Sequence, residues 1–376
     1  MLSGKRQILF IIIPVSGAGN NTMIAETENG SARFRNCLLS LFVDCTKIIC
    51  YISMNTTPKE AEQDMEMTRF KMPEKEMPAE QLILFFKEQV NGFLASKALE
   101  DLLKILQTDL KNLSTMYDGR LREDGSVVES QVVKDRDDLE PFREKLYPLF
   151  DELGFFRINK PLHAENSRIL ILGGSLNTCF ERSEYAKAFI NSSVHCVEGL
   201  ACYRPIHPVE RENTIYYSYA DTEFGVLSDA LLQVLDRSGE LYEDDFRTNR
   251  NINSISCIRT FTGHEDDCSL RVFAAPSAEP HLRRADTADT IRFYLANTQF
   301  QPRESLLFIT DNRYCNRQFL QILNAMLACR CVIPFDIIGC TPDHFIVKKE
   351  TYSLFQFIQD LISTIDLIER FQAEYC

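Results

Sequence analysis

With 376 residues, 45% of them hydrophobic, the chain is long enough for about two domains and too apolar for a disordered protein. Its net charge of −13 argues against broad nucleic-acid binding, which needs a basic surface to neutralise phosphates. Thirteen cysteines, an odd number with no C-x-x-C pair, are dispersed among apolar neighbours. Buried thiols in a reducing cytosol fit that distribution better than a disulfide scaffold does.

Lys5 and Arg6 precede an apolar run over 8–15, as in a short signal sequence. The run is interrupted by Pro14, no convincing cleavage site follows, and it is too short to cross a bilayer. The reading is a first core strand of a cytoplasmic protein without a transmembrane segment; export without a cleaved signal stays open. Residues 8–15 and 47–53 read as buried strands, separated by a polar loop over 16–30 and a helix over 32–43. A strand–loop–helix–strand unit suggests parallel pairing.

After Pro58 the pattern changes. Leu82, Phe85, Val90, Phe93, Leu99, Leu102 and Leu106 give 79–117 a helical period. A charged, glycine-containing loop spans 118–138 and a further helix 139–153. From 168 onward strands and helices alternate. The strands are 168–172, 194–200, 214–219, 270–274, 305–310 and 332–338; the helices are 181–191, 223–235, 288–296, 314–329 and 352–371. The acidic run 240–245 reads as a solvated loop. Alternation of this kind predicts an α/β, Rossmann-like layered fold with a mostly parallel sheet. Its core would comprise 1–57 and 161–376, with 58–160 a mainly helical insertion or cap.

The most informative stretch is 168–190. An apolar strand ends at Gly173 and Gly174, which free the backbone for a sharp turn into a helix, and a helix amino terminus is a ready anion site. The stretch matches neither the full dinucleotide fingerprint nor the P-loop. In open α/β sheets ligands bind beyond the carboxyl ends of the strands. The residues following the strands are therefore the candidates: Gly173, Gly174 and Ser175, then Glu223, Thr287, Thr310, Arg313 and Arg317. Arg313 and Arg317 stand one helical turn apart, a spacing suited to gripping a phosphate or carboxylate. Thr222, Asp286 and Thr287 also suit helix capping. A Cys202–His pair from the segment between His195 and His207, and a metal cluster at His264–Cys268, are weaker candidates.

Over about 168–340 the chain resembles the bacterial domain family typified by YdcF, SanA and ElyC, a Rossmann-like α/β domain. Gly173, Gly174, Arg182 and Ala186 fit its glycine-ended strand and following helix. Thr222, Glu223 and Phe224, leading to Leu227 and Leu231, stand where that family has a Ser-Glu-Ala helix start. Thr287 is followed by Thr290 where the family has Asn, and Tyr314 replaces a His between Thr310 and Arg317. The segment 202–213 has no counterpart. The resemblance implies a pocket for a nucleotide-like ligand, S-adenosylmethionine included, more strongly than it implies a reaction.

The combined expectation is binding of a small anionic or nucleotide-like molecule, with transferase or hydrolase activity open. Gly173, Gly174, Ser175, Arg182, Thr287, Thr310, Arg313 and Arg317 would bind it, and Glu223 would be the catalytic group. The cofactor is unknown and no metal site is assigned. The alternatives are an interaction protein whose partner binds through 58–160, and a metal-assisted hydrolase using Asp221, Glu223, Asp286 and Asp289.

Overall fold

In a computed structural model, 8–11, 23–28 and 31–34 are described by their backbone, together with 68–376 apart from 76, 119–135, 164–165, 213, 238, 249, 263–267 and 341–351. The chain divides into two units, Met1–Gln63 and Asp64–Cys376.

In the first unit β1 (Ile8–Ile11), β2 (Met23–Glu28) and β3 (Ser31–Phe34) form an antiparallel sheet of their own, in the order β1-β2-β3. Ile8 faces Glu26 across the first pair and Glu28 faces Ser31 across the second. This corrects the parallel unit expected there. The polar loop contains a strand, Met23–Glu28, and 31–34 is strand where a helix was expected. The remainder of that helix and the strand at 47–53 lie outside the described residues.

The second unit begins with α1 (Ala79–Leu94), α2 (Lys97–Ile105) and α3 (Leu110–Tyr117). Ser96 and Asp109 cap the second and third by accepting from the backbone N–H of Leu99 and Asn112. A 3₁₀ turn, Asp137–Phe142, leads into α4 (Arg143–Glu152). Phe86, Phe93, Leu99, Leu102 and Phe150 from these helices share one core with Phe319, Phe335, Phe357 and Leu361 further along the chain.

The α/β part runs β4 (Arg168–Leu172), α5 (Leu176–Lys187), β5 (Cys196–Cys202), α6 (Pro208–Glu212), α7 (Glu223–Val234), β6 (Leu241–Arg247), β7 (Ser256–Thr262), β8 (Ser269–Ala275), α8 (Thr287–Ala296), β9 (Leu306–Asp311), α9 (Cys315–Ala328), β10 (Phe335–Cys340) and α10 (Leu354–Tyr375). Its seven-stranded sheet has the order β10-β9-β4-β5-β8-β7-β6. The first five are mutually parallel, and β7 and β6 add antiparallel at one edge. Numbered by appearance, the parallel strands β4, β5, β8, β9 and β10 lie in the order 3-2-1-4-5. Strand order therefore reverses between β4 and β9, and a crevice opens at such a reversal in doubly wound sheets.

Helices cover both faces. On one, Ile169, Ile171, Val197 and Ile309 pack against Cys179 and Phe180 of α5 and Leu227 and Leu231 of α7. On the other, Leu170, Leu172, Phe308 and Ile337 pack against α8, α9, α10 and the helices of 79–152. The expected strand over 214–219 is absent: its aromatic alternation serves a strap in which Tyr216 stacks on Phe180, centroids 4.6 Å apart. The expected acidic loop is the exposed edge strand β6. Helix α5 starts at Leu176 rather than 181, since Ser175 caps it by accepting from Thr178 N.

Candidate functional site

The turn after β4 is built around close approach. Gly173 N–H donates to Leu200 O over 2.7 Å. A Cβ at Gly173 would overlap Glu223 Oε1 and stand 3.1 Å from Leu200 O, so only glycine brings β4 this near to the start of α7. Arg182, on the second turn of α5, folds back beneath the turn. Its Nη1 donates to the carbonyls of Leu172 and Gly173, each at 2.6 Å, and its Nε donates to Asp311 Oδ1 at 2.9 Å. Burial works against a charged Arg182, which is 2% exposed, but Asp311 outweighs it and the pKa lies above its ordinary value. An ion pair thus fills the place where the strand order reverses.

Arg204, just after β5, is the hub beside it. Its Nε donates to Glu223 Oε2 (2.7 Å), Nη1 to Glu210 Oε1 (2.8 Å) and Nη2 to Gly174 O (2.6 Å). Glu210, carried by α6, also accepts the Leu176 N–H at 2.8 Å and the His207 N–H at 3.2 Å. Burial raises the Glu210 pKa, but Arg204 and these backbone donors hold it below the usual carboxylate value. A carboxylate from the chain itself therefore sits at the amino terminus of α5, where the unpaired N–H groups and the helix dipole favour negative charge.

The remaining candidates lie across the sheet. Thr310 and Asp311 are consecutive on β9, so their side chains leave from opposite faces. Asp311 meets Arg182, whereas Thr310, fully buried, donates to Gln318 Oε1, and Gln318 Nε2 donates to Thr287 Oγ1 at 3.4 Å. Arg313 and Arg317 converge on Asp360 of α10 at 3.4 and 2.8 Å, and both guanidiniums stack on Tyr314. Tyr352 links the two faces: its ring lies 4.0 Å from the Arg313 guanidinium and its hydroxyl donates to Asp311 Oδ2. The structure thus groups Gly173, Gly174, Ser175, Arg182 and Glu223 with the unanticipated Arg204 and Glu210. Thr287 and Thr310 form a second group, Arg313 and Arg317 a third.

Several weaker candidates resolve into structural roles. Thr222 and Asp286 cap α7 and α8, the latter in a reciprocal box with Asp289. Asp221 pairs with Arg211, and Asp289 with Arg283 and Arg292. Among the described residues no group of three His, Cys, Asp or Glu side chains is arranged to hold a metal ion. Burial, with Glu223 adding, pushes the Cys202 thiol up to about 12; its Sγ lies on Glu223, while His195 lies before β5 on Glu304 and His207 Nδ1 accepts from Val209 N–H. Residues 264–267 of the other cluster lie outside the described residues. The cysteines described are all free thiols.

The amino edge of the sheet carries a second charge network that pattern reading missed. Glu198, fully buried in β5, accepts from Arg168, Arg271 and Tyr294, while Arg168 also binds Glu304. Arg168, Cys196, Ser269, Arg271, Asn297 and Gln299 line a cavity of about 500 Å³ there. Both Glu198 and Arg204 are invisible to sequence periodicity, because only pairing of distant strands shows which charges meet. The one available signal for Arg204 and Glu210 was the unmatched polar segment 202–213.

Comparison of the chain with protein-family models, curated proteins and solved structures finds no match. What the fold defines is an α/β protein with a seven-stranded, mostly parallel sheet. Among the described residues no helix is long and apolar enough to cross a membrane.

Proposed function

We propose that the protein binds a small anionic, nucleotide-like molecule at the carboxyl edge of the sheet, beside the reversal of strand order, between the glycine turn after β4 and the start of α7. The observation that carries this reading is Arg204, which ties the glycine turn, β5 and the start of α7 together through Gly174 O, Glu210 and Glu223. A guanidinium beside a helix amino terminus suits a phosphate or carboxylate. Glu223, fixed by Arg204, is then the group nearest the ligand, able to accept from a ribose or similar hydroxyl. Transfer or hydrolysis of the anionic group is the activity such a site would host. Arg313 and Arg317, which converge on Asp360, stand in a separate group from Arg204 and are not part of this reading.

A thermal-shift panel of nucleotides, inorganic phosphate and S-adenosylmethionine tests the reading. At about 100 times Kd a ligand adds about 2.7 kcal/mol, a shift of several degrees for a chain of this size. The parent should respond to at least one member and Arg204→Gln to none. A panel without any shift would remove the reading.

A further inference from the structure

We propose that Glu210 is a built-in occupant of the anion site, and that a phosphate-bearing ligand binds by displacing its carboxylate. This rests on the reading of the carboxyl edge as an anion site. Three features of the chain point to it. The segment between β5 and α7 is closed at its neck by the Pro205–Thr222 bridge and by bonds from Ile206 N to Asp221 O and from Glu223 N to Arg204 O, both 2.9 Å. The strap beyond the neck is anchored separately, by Tyr216 on Phe180, by Ser218 Oγ on Asp229 at 2.6 Å and by Arg211 on Ser218 O at 3.0 Å. Glu210 is therefore not needed to hold the strap. Its carboxylate, with a side chain only 5% exposed, nevertheless takes donors from Arg204, Leu176 N and His207 N.

Those donors are the complement a phosphoryl group would use: a guanidinium edge and a helix-terminal N–H. A carboxylate and a phosphate cannot share them. α6 is a short helix whose adjacent Val209 is half exposed, and the exchange calls for the Glu210 side chain to turn out towards solvent there. The exchange is between like charges, so the protein keeps Arg204 compensated in both states and binds only ligands able to outcompete its own carboxylate.

Isothermal titration of the full chain with inorganic phosphate and with pyrophosphate tests this. Glu210→Ala should bind at least about tenfold more tightly than the parent, the equivalent of one charge-assisted hydrogen bond regained. Glu210→Gln, neutral but still able to accept from Leu176 N, should gain less; it carries the comparison if the alanine variant does not fold, as judged by circular dichroism. Adding Arg204→Gln should abolish the gain. Equal affinities in parent and variants would overturn the built-in occupant and leave the site standing. Absence of binding to any of them would overturn both.

Discussion

Arg204 holds two carboxylates and two carbonyls on one guanidinium, and the turn it organises is as tight as a glycine allows. The same scale explains why Gly173 and Gly92, both non-apolar positions in sequence, respond oppositely to alanine. At Gly173 a methyl meets Glu223 and the Leu200 carbonyl, so Gly173→Ala should destabilise by about 1–3 kcal/mol, the usual cost of overpacking. Gly92 lies within α1 with open space around its Cβ, and Gly92→Ala should stabilise by about 0.5–1 kcal/mol through helix propensity. Urea denaturation of the two variants separates them; a neutral Gly173→Ala would mean that Glu223 moves aside freely.

The element that departs most from a reading of pattern is β6. Its seven residues are all exposed, yet it pairs in full with β7, Leu241 opposite Thr262 and Arg247 opposite Ser256. Asp244 at its centre binds Arg259 of β7 at 2.7 Å, and Arg259 also lies over Tyr242. The acidic run that suggested a loop is better understood as protection of an edge strand, whose outer N–H and C=O groups invite another chain. Antiparallel self-pairing centred on Asp244 would set Asp244 against Asp244 and Glu243 against Asp245. Replacing Glu243 and Asp245 by Thr removes the two Glu243–Asp245 repulsions, leaving only Asp244 against Asp244, and raises β propensity. The double variant should self-associate with rising concentration in light scattering while the parent does not; unchanged scattering would show that charge is not what guards the edge. Helices were more legible than strands here. The periods at 223–235, 288–296 and 314–329 each fall within two residues of α7, α8 and α9, because a broad apolar stripe marks the face of each and a capping residue the start of the first two.

At the scale of the second unit, parallel strands and covering helices create two apolar layers, and charged groups inside them are held in pairs. Glu210 and Glu304 illustrate this at opposite edges of the sheet. Burial raises each pKa, but Arg204 with backbone donors at the first, and Arg168 at the second, hold both below the ordinary value. A carboxyl with a depressed folded pKa contributes stability that is present above its unfolded pKa, about 4.3, and is lost as pH falls through the folded value. The melting temperature of the parent should therefore drop steeply below about pH 4. Glu210→Gln, lacking one of the two titrations, should be less stable than the parent at pH 7 but lose less between pH 5 and 3. Parallel curves for the two proteins would show that the Glu210 carboxylate is not held as described.

The α/β class, the mostly parallel sheet and the glycine turn between a strand and a helix were all legible in the chain, because strand and helix periods, capping residues and glycines act locally. Of the candidate residues, Gly173, Gly174, Ser175, Arg182 and Glu223 lie together in space. What tertiary structure decided was which charges face one another. The pleat of β9 sends Thr310 and Asp311 to opposite faces, Asp360 claims Arg313 and Arg317, and Arg204 and Glu210 enter from a segment with no recognisable pattern. Electrostatic partnership depends on distance in space, and partners such as Gly174 with Arg204 or Arg182 with Asp311 are tens of residues or more apart in sequence, where no periodicity reaches.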